Sequence, residues 1–160
     1  AAALATRTGD PEARQLHREL RMAVEQSREL AYGLRPPVLD DHGLVAALQD
    51  RVGGPDVRID APDDLDLPAS VDLAALRIIQ EAVTNARKHG AAPVLIRLRL
   101  HDGYLKLTVS DAGPGLPSNV RAGIGMLSIT ERTDEVGGTA RYDRAATGCH
   151  LLVDLPLAVS

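Results

Sequence analysis

The chain has 160 residues, 44% of them hydrophobic, which allows one folded domain with a core plus an appended segment and excludes a disordered chain. The net charge of −4 gives no sign of the basic surface that binds nucleic acid. The single cysteine excludes an internal disulfide and is consistent with a reducing compartment. Phe and Trp are absent, so small aliphatic side chains must fill the core. No apolar run is long enough to span a membrane, and no signal peptide is visible.

The first 34 residues have helical patterns. Residues 1–5 have the composition of a helix end, and Asp10-Pro11-Glu12 has an N-cap, a first-turn proline and an acid. The helix is expected over residues 11–34, with a narrow apolar stripe suited to a two-helix hairpin or a dimeric bundle. The alternative is a plain surface helix packed on its own domain. Because the chain begins without methionine, we interpret it as a piece of a longer protein.

A proline-containing connector follows this helix. Residues 35–44 read Arg-Pro-Pro-Val-Leu-Asp-Asp-His-Gly-Leu, and the consecutive prolines predict the end of the preceding helix. A short helix is expected over residues 44–52. Gly53-Gly54-Pro55 breaks the pattern after it.

Residues 71–89 predict a long helix with Ser70 as its N-cap. Its apolar stripe recurs at three- and four-residue steps, at Leu76, Ile79, Val83 and Ala86. Four polar residues follow helical spacing on roughly the opposite side: Glu81, Asn85, Lys88 and His89. Gly90 is expected to end the helix by taking a positive φ. Polar residues opposite an apolar stripe are usually just solvated, so only the downstream sequence makes this face a candidate site.

Most of the remaining segments predict strands. Five of them have the composition or alternation of strands: residues 57–60, 94–100, 105–109, 139–143 and 149–155. His101-Asp102-Gly103 predicts a hairpin turn between the second and third strands. A helix is expected over residues 127–136, and Pro156 is expected to end the last strand.

Two glycine turns follow the long helix. Val109-Ser110-Asp111-Ala112-Gly113-Pro114-Gly115 ends a strand in an acidic turn, and Ala122-Gly123-Ile124-Gly125-Met126 opens the next helix. The order of an acid–amide helix, Asp-x-Gly-x-Gly and Gly-x-Gly resembles the nucleotide-binding boxes of the GHKL ATPases. These include gyrase, the Hsp90-type chaperones, the MutL-type repair proteins and the sensor histidine kinases. The resemblance implies a Bergerat-type α/β sandwich, with a mixed, mostly antiparallel sheet and helices on one face.

The connector carries a second resemblance. The pattern Leu-Arg-Pro-Pro-x-Leu-Asp-x-x-Gly-Leu begins at Leu34 and ends at Leu44. It is similar to the junction between phosphotransfer helix and ATPase domain in the sensor histidine kinases that signal to response regulators with helix-turn-helix outputs. This implies the C-terminal part of a dimerisation and phosphotransfer hairpin with its connector over residues 1–43, and a catalytic ATP-binding domain over residues 44–160.

The resemblance assigns adenine recognition to the first glycine turn. In the family, the aspartate that matches Asp111 accepts a hydrogen bond from the adenine amino group. Gly113 and Gly115 would let the backbone approach the base, since neither has a Cβ. An ordinary strand-end turn is the alternative reading of these residues.

The resemblance assigns the triphosphate to the polar helix face and to the second turn. The amide oxygen of Asn85 matches the family's Mg²⁺ ligand, and Lys88 and His89 can donate to phosphate oxygens. Backbone N–H groups of the second turn would add an anion-binding helix start, at Gly123, Ile124, Gly125 and Met126. The Gly-x-x-x-x-Gly-Lys-Ser/Thr pattern of a P-loop is absent from the sequence.

Glu81 matches the family's catalytic acid, which polarises the nucleophile that attacks the γ-phosphate. The nucleophile is an imidazole in histidine kinases and water in gyrase-like members. The structural alternative for Glu81 is a salt bridge with a nearby arginine.

The sequence departs from the family pattern in two places. Seven residues separate Gly115 from Gly123, so a lid over ATP would be short. The last strand pair usually carries Gly-Thr, whose hydroxyl helps to hold the aspartate and adenine. Here Gly148-Cys149 stands in its place, and a thiol is a weaker hydrogen-bond partner.

The acceptor histidine is expected to lie outside these residues. His17 lies in Ala-Arg-Gln-Leu-His-Arg, which superficially resembles the acceptor box Ala-Arg-x-Leu-His-Asp. Arg18 stands where an acid should orient the imidazole, and the helix of His17 leads straight into the connector. We therefore interpret residues 11–34 as the second helix of the hairpin and His17 as a surface histidine.

The sequence thus predicts the catalytic ATP-binding domain of a bacterial two-component sensor histidine kinase, using ATP and Mg²⁺. The alternatives are a serine kinase acting on an anti-sigma-type partner and a non-catalytic nucleotide-binding switch. The expected partners are a response regulator and a second copy of the parent chain, held through the N-terminal helices. Nucleic acid and membrane contact are not expected, and these residues are expected to be cytoplasmic, whether or not the parent is membrane-anchored.

Overall fold

The computed structural model describes residues 35–115, 123–144 and 148–158. The helices expected over residues 1–5 and 11–34, with His17, lie outside the described residues, as does the segment between Gly115 and Gly123. Residues 36–160 form one compact unit, to which every element below belongs.

The first described helix, α1, spans Pro37–Val52. The expectation of a connector up to residue 44 is therefore wrong. Proline is well accommodated at the first helical position, where its missing N–H removes no helical hydrogen bond. Gly43 interrupts the helix with a φ of 77°, so a kink within α1 stands where the helix was expected to begin. Leu39 and Leu44, before and after the kink, are both buried.

Five strands form a single sheet. In chain order they are β1 (Val57–Asp60), β2 (Val94–His101), β3 (Tyr104–Ser110), β4 (Thr139–Arg144) and β5 (Cys149–Pro156). Their spatial order is β1-β2-β3-β5-β4, and only the β1–β2 pair is parallel. The predicted mixed, mostly antiparallel sheet is confirmed. The β2–β3 turn is also confirmed, since Asp102 and Gly103 take φ values of 51° and 77°, as a tight hairpin requires.

Two further helices complete the domain. The helix α2 spans Ala69–His89, and α3 spans Ile124–Glu135. The helix α2 connects the parallel strands β1 and β2, a connection that requires a crossover. The predicted apolar stripe of α2 is confirmed, because its four residues are all buried.

The helices cover one face of the sheet. Alternate residues of β2 and β3 on that face are buried, whereas Arg97, Arg99 and Tyr104 on the other face are exposed. The core between the helices and the sheet is almost entirely aliphatic, with Leu48, Ile79 and Leu107 among its fully buried side chains. The predicted two-layer α/β arrangement is therefore confirmed.

Two predicted helix boundaries are wrong. Ser70 lies inside α2, and Pro68 is its N-cap, because the carbonyl of Pro68 accepts hydrogen bonds from Val71 and Asp72 at 2.9 and 3.0 Å. The helix α3 begins at Ile124 rather than at residue 127, with Gly123 as N-cap accepting from the Leu127 N–H at 3.1 Å. The second glycine turn therefore leads directly into the first turn of α3.

An ion pair fixes the C-terminal part of α2 against the loop before β1. The Arg87 guanidinium donates to both carboxylate oxygens of Asp56, at 2.7 and 3.1 Å, and to the Val52 carbonyl at 2.9 Å. The hydrogen bond from Arg87 holds the pKa of the Asp56 carboxyl below its usual value. This contact helps to position the part of α2 that carries the polar residues.

Candidate functional site

The polar residues of α2 and the two glycine turns come together at one end of the sheet. Backbone hydrogen bonds link the end of α2, the turn after β3 and the start of β5, and α3 begins over the C-terminal half of α2. We call the group of Gly90, Asp111, Gly113, Gly148 and Cys149 the Asp111 end, and the group of Glu81, Asn85 and Gly125 the Glu81 end.

Backbone hydrogen bonds hold the Asp111 end together. The Ala112 N–H donates to the Ala91 carbonyl at 2.9 Å, and the Gly148 N–H donates to the Gly113 carbonyl at 2.7 Å. The Asp111 N–H donates to the Cys149 carbonyl at 3.2 Å. The turn after β3 is therefore fixed both to the end of α2 and to the start of β5.

The Asp111 carboxylate lies against Gly90, the C-cap residue that follows α2. It accepts a hydrogen bond from the Gly113 N–H at 2.7 Å. A Cβ on Gly90 would lie 2.5 Å from the carboxylate carbon of Asp111, so only glycine fits there. The expectation that Gly90 ends α2 through a positive φ is wrong, because its φ is −98°. Gly90 is required by this close approach rather than by its backbone angle.

The first glycine turn also packs closely against Gly90 and Asp111. A Cβ on Gly113 would lie 2.6 Å from the Gly90 Cα and 2.9 Å from the Asp111 Oδ1. Gly115 follows with a φ of 79°, a left-handed conformation that favours glycine. The sequence thus identified residues that the structure packs against one another, although it gave no sign that Gly90 takes part.

Glu81 and Asn85 face the first turn of α3. Both are half-buried, and a Cβ on Gly125 would collide with the Glu81 Oε1 and lie about 3 Å from the Asn85 amide. Within the described residues, neither side chain makes a hydrogen bond or an ion pair, so the salt-bridge alternative for Glu81 finds no support. The carboxylate and the amide are therefore available to a ligand between α2 and α3.

The other predicted site residues of α2 and of the second glycine turn are exposed or half-buried. Lys88 and His89 are exposed in the last turn of α2. Ile124 is 61% exposed, Met126 is half-buried, and a Cβ on Gly123 would meet no heavy atom within 4 Å. These residues are positioned to contact a ligand only through their exposed groups or through backbone N–H donors of the α3 start.

The residues present fit a magnesium-bound polyphosphate. The unpaired amide oxygen of Asn85 is the type of ligand that Mg²⁺ accepts, and Mg²⁺ usually keeps several waters, so one protein ligand is enough. The described residues contain no cluster of three or more His, Cys, Asp or Glu side chains able to hold a metal by themselves.

Sequence reasoning missed Tyr142. Its register partner is Leu151, and both side chains point from the sheet toward the helices. Burial first, then electrostatic interaction with Cys149 and Glu81, raise the pKa of Tyr142 to about 12. The alternation of Ala140 and Tyr142 in the predicted closing hairpin was the signal that could have placed this phenol beside the site.

Cys149 is half-buried at the Asp111 end. Burial first and then the Asp111 carboxylate raise the pKa of its thiol. A neutral thiol therefore lies where the resemblance leads one to expect a hydroxyl.

Comparisons with known proteins agree with this geometry. Residues 71–159 match the family model described as histidine kinase-, DNA gyrase B- and HSP90-like ATPase. The chain is 33% identical to the sensor histidine kinase MctS of Rhizobium johnstonii over 148 residues, which cover 84% of this chain and 32% of MctS. It is 31% identical to the nitrate/nitrite sensor protein NarX of Escherichia coli over 144 residues, which cover 84% of this chain and 24% of NarX. The chain thus spans about a third or less of the length of these relatives.

Solved structures share the fold at low identity. The Acinetobacter baumannii histidine kinase AdeS matches with a TM-score of 0.59 at 12% identity, over 96% of this chain and 88% of that one. The histidine kinase domain of the Erythrobacter litoralis EL346 blue-light activated kinase matches with a TM-score of 0.57 at 23% identity, over 71% of this chain and 57% of that one. Together with the sheet order and the helix layer, these matches confirm the predicted Bergerat-type fold.

Proposed function

The chain belongs to the histidine kinase-, DNA gyrase B- and HSP90-like ATPase family and is an ATP-binding catalytic domain of the histidine kinase type, and we propose that it transfers the γ-phosphate of ATP to a histidine outside these 160 residues. The proposal for the acceptor rests on the sequence, in which Arg18 rather than an acid follows His17, and His17 falls in the segment predicted to lead into the connector.

One observation carries the proposal. The unpaired Glu81 and Asn85 side chains face the first turn of α3, while the Asp111 carboxylate is held against the end of the same helix. A carboxylate that can accept from adenine and a carboxylate beside an amide ligand thus lie along one helix, about two and a half turns apart from Glu81 to Gly90. This separation of a base-reading group from a catalytic group suits a nucleotide that lies along α2.

We assign the binding roles as follows. Asp111 accepts from the adenine amino group, and Gly113 and Gly115 let the backbone approach the base. Asn85 supplies an oxygen ligand to Mg²⁺, which when bound neutralises charge on the phosphates. Lys88 and His89 donate to phosphate oxygens. The N–H groups at the start of α3, from Gly123 to Met126, provide an anion-binding helix terminus.

We assign the general-base role to Glu81. Its carboxylate takes the proton from the imidazole nitrogen of the acceptor histidine as that nitrogen forms the new bond to the γ-phosphorus. The bond from the γ-phosphorus to its bridging oxygen breaks, and ADP leaves. Since Glu81 has no ion-pair partner among the described residues, its charge is not neutralised before the acceptor arrives.

The proposal extends to the parent protein. The Leu-Arg-Pro-Pro junction supports the subfamily that signals to helix-turn-helix response regulators, and the apolar stripe of residues 11–34 supports a homodimer through the N-terminal helices. We propose that this domain acts in the cytoplasm. Among the described residues, the helices are all too short or too polar to serve as membrane spans.

The test uses the 160-residue chain, Mg²⁺ and γ-labelled ATP. With a helical hairpin that carries the acceptor histidine box supplied in trans, we expect label on the hairpin that is labile to acid and stable to base. The chain alone should stay unlabelled, and label removed by His17→Gln would contradict an external acceptor. Acid-stable label on a serine of a partner would favour the serine kinase. Tight ATP binding without transfer would favour a switch module.

A further inference from the structure

One residue, Asp56, holds both ends of the segment that leads from α2 into β2. Before this segment, the Asp56 carboxylate accepts two hydrogen bonds from the Arg87 guanidinium, at 2.7 and 3.1 Å. After it, the Asp56 carbonyl accepts a hydrogen bond from the Val94 N–H at 2.8 Å. Residues 88–93, which we call the 88–93 segment, are therefore closed into a short loop, and such closure leaves the segment few other conformations.

The 88–93 segment carries the contacts that the end of α2 makes with the turn after β3. The Ala91 carbonyl accepts a hydrogen bond from the Ala112 N–H at 2.9 Å. Gly90 lies so close to Asp111 that a Cβ on it would be 2.5 Å from the carboxylate carbon. A contact without room for a methyl group tolerates only a small displacement of either partner. The position of this segment therefore affects the carboxylate that we assign to adenine.

The last turn of α2 has few other contacts that could fix it. Ala86 is the last buried residue of α2, and the three residues after it are exposed. Within the described residues, the side chains of Lys88 and His89 make no hydrogen bond or ion pair. The polar side-chain contacts of this turn are thus the three hydrogen bonds that Arg87 donates to Asp56 and Val52.

The acceptors of Arg87 are themselves held in place. Val52, whose carbonyl accepts at 2.9 Å, is the last residue of α1 and is buried. The last carbonyls of a helix have no partner within it, so a guanidinium is favourable there. A Cβ on Gly54 would lie 2.7 Å from the Asp56 Oδ1 and 3.4 Å from the Arg87 Nη2, so the chain also packs closely against the ion pair.

We infer that Arg87 and Asp56 are positioning residues for the adenine end of the nucleotide site: their ion pair fixes the 88–93 segment, which in turn holds the Asp111 turn in the conformation that binds ATP. This inference rests on the proposed function, in which Asp111 recognises adenine. The two side chains are 41% and 31% exposed, and exposed ion pairs contribute little to the stability of a fold. Their removal should therefore leave the domain folded and change the site.

The first arm of the test needs no nucleotide. It measures amide hydrogen exchange by NMR in the chain and in Arg87→Met, which removes the guanidinium and keeps a long unbranched side chain. The Ala112 N–H should exchange about 10-fold faster in the variant, whereas the Leu107 N–H in the central strand β3 should not change. Unchanged exchange at Ala112, or an equal increase at both amides, would overturn the inference.

Arg99→Met is the matched control. Arg99 donates to both carboxylate oxygens of Asp60, at 2.7 and 2.8 Å, and its ion pair is about as exposed as that of Arg87. It lies on the face of the sheet that the helices leave uncovered. This variant should keep normal exchange at Ala112 and normal ATP binding. A loss of ATP affinity equal to that of Arg87→Met would contradict a local role for Arg87.

The second arm measures ATP binding by calorimetry in the presence of Mg²⁺. We expect Arg87→Met and Asp56→Ala each to raise Kd about 5- to 10-fold, and the double variant to raise it no further, because the two residues act as one unit. Transfer to the histidine-bearing hairpin at saturating ATP should stay within about 2-fold, because Glu81 lies more than one helical turn before Arg87.

The Asp56 variant separates positioning from simple electrostatics. If Arg87 acted only as a cation near the triphosphate, removing the carboxylate of Asp56 would tighten ATP binding. Tighter binding in Asp56→Ala, or unchanged affinity in both single variants, would therefore overturn the inference. If the unsubstituted chain binds no ATP, the proposed function fails, and hydrogen exchange still decides whether the ion pair holds the 88–93 segment.

Discussion

The two ends of the cleft differ in how their polar groups are held. At the Asp111 end, backbone hydrogen bonds join α2, the turn after β3 and the start of β5, and the carboxylate itself accepts from Gly113. At the Glu81 end, the side chains of Glu81 and Asn85 lie at the first turn of α3 without hydrogen bonds among the described residues. One end is organised before a ligand arrives, whereas the other has groups whose partners come with the ligand and the acceptor.

This difference suggests a division of work. A rigid carboxylate surrounded by glycines discriminates by shape and by a fixed acceptor, which suits recognition of a base. Unpaired groups retain their full charge and hydrogen-bonding capacity for the reaction, which suits catalysis. Substitutions at the two ends should therefore separate binding from rate.

The largest effect is expected at the Glu81 end. Glu81→Gln should slow phosphotransfer by roughly 10²–10⁴-fold, the usual range for loss of a general base, while calorimetry shows ATP binding unchanged. A normal transfer rate in this variant would show that Glu81 is not the base.

Asn85 provides a contrast at the same end. Asn85→Ala should weaken binding of ATP in the presence of Mg²⁺ by about 1–3 kcal/mol and have less effect without the metal, because the variant loses a metal ligand. Calorimetry of ATP binding with and without Mg²⁺ shows whether the loss of affinity depends on the metal. Equal weakening under both conditions would exclude the ligand role.

At the Asp111 end, the charged acceptor should matter for affinity and not for rate. Asp111→Asn should weaken ATP binding by about 1–3 kcal/mol, since a charged acceptor of a partly buried donor is lost. Transfer at saturating ATP should be nearly normal. Unchanged affinity by calorimetry would refute the adenine assignment.

Gly113 tests whether the Asp111 end is as closely packed as the structure indicates. Gly113→Ala places a Cβ against the Gly90 backbone and should lower the free energy of unfolding by about 1–3 kcal/mol, the usual cost of overpacking. Gly123→Ala is the matched control, because its Cβ would meet nothing within 4 Å. Denaturant unfolding measures the free energy of unfolding of both variants. Equal values would contradict the close approach of Gly113 to the Gly90 backbone.

The smallest effect concerns Cys149. Cys149→Thr replaces a weak donor by a hydroxyl next to Asp111 and should tighten ATP binding by about 0.5–1.5 kcal/mol. Cys149→Ala serves as the control, since it removes the thiol without adding a hydroxyl. If threonine gives no gain over alanine in calorimetry, the residue at this position takes no part in holding the nucleotide.

The sequence by itself determined the order of elements and most of the candidate site. The alternation of apolar and polar residues predicted the strands, because the two-residue period of a strand is a local property. The turn residues Asp102 and Gly103 predicted the hairpin, because a tight turn needs residues that adopt positive φ. Their spacing of four residues placed Glu81 and Asn85 on one side of α2, because the period of a helix is also a local property. The ordered glycine boxes then pointed to the family, and the family match over residues 71–159 agrees.

Only the tertiary structure decided which groups meet. The requirement for glycine at position 90 comes from the Asp111 carboxylate, twenty-one residues away in the chain, and not from local backbone geometry. The helix α2 buries Arg77 and Ile78 in addition to its predicted stripe, because α1 and α3 pack along it as well as the sheet. Tyr142 lies beside Leu151 and diagonal to Cys149 through the pairing of β4 with β5, and α3 packs against β4. Such contacts depend on register and on the arrangement of layers, and neither is encoded within a short stretch of sequence.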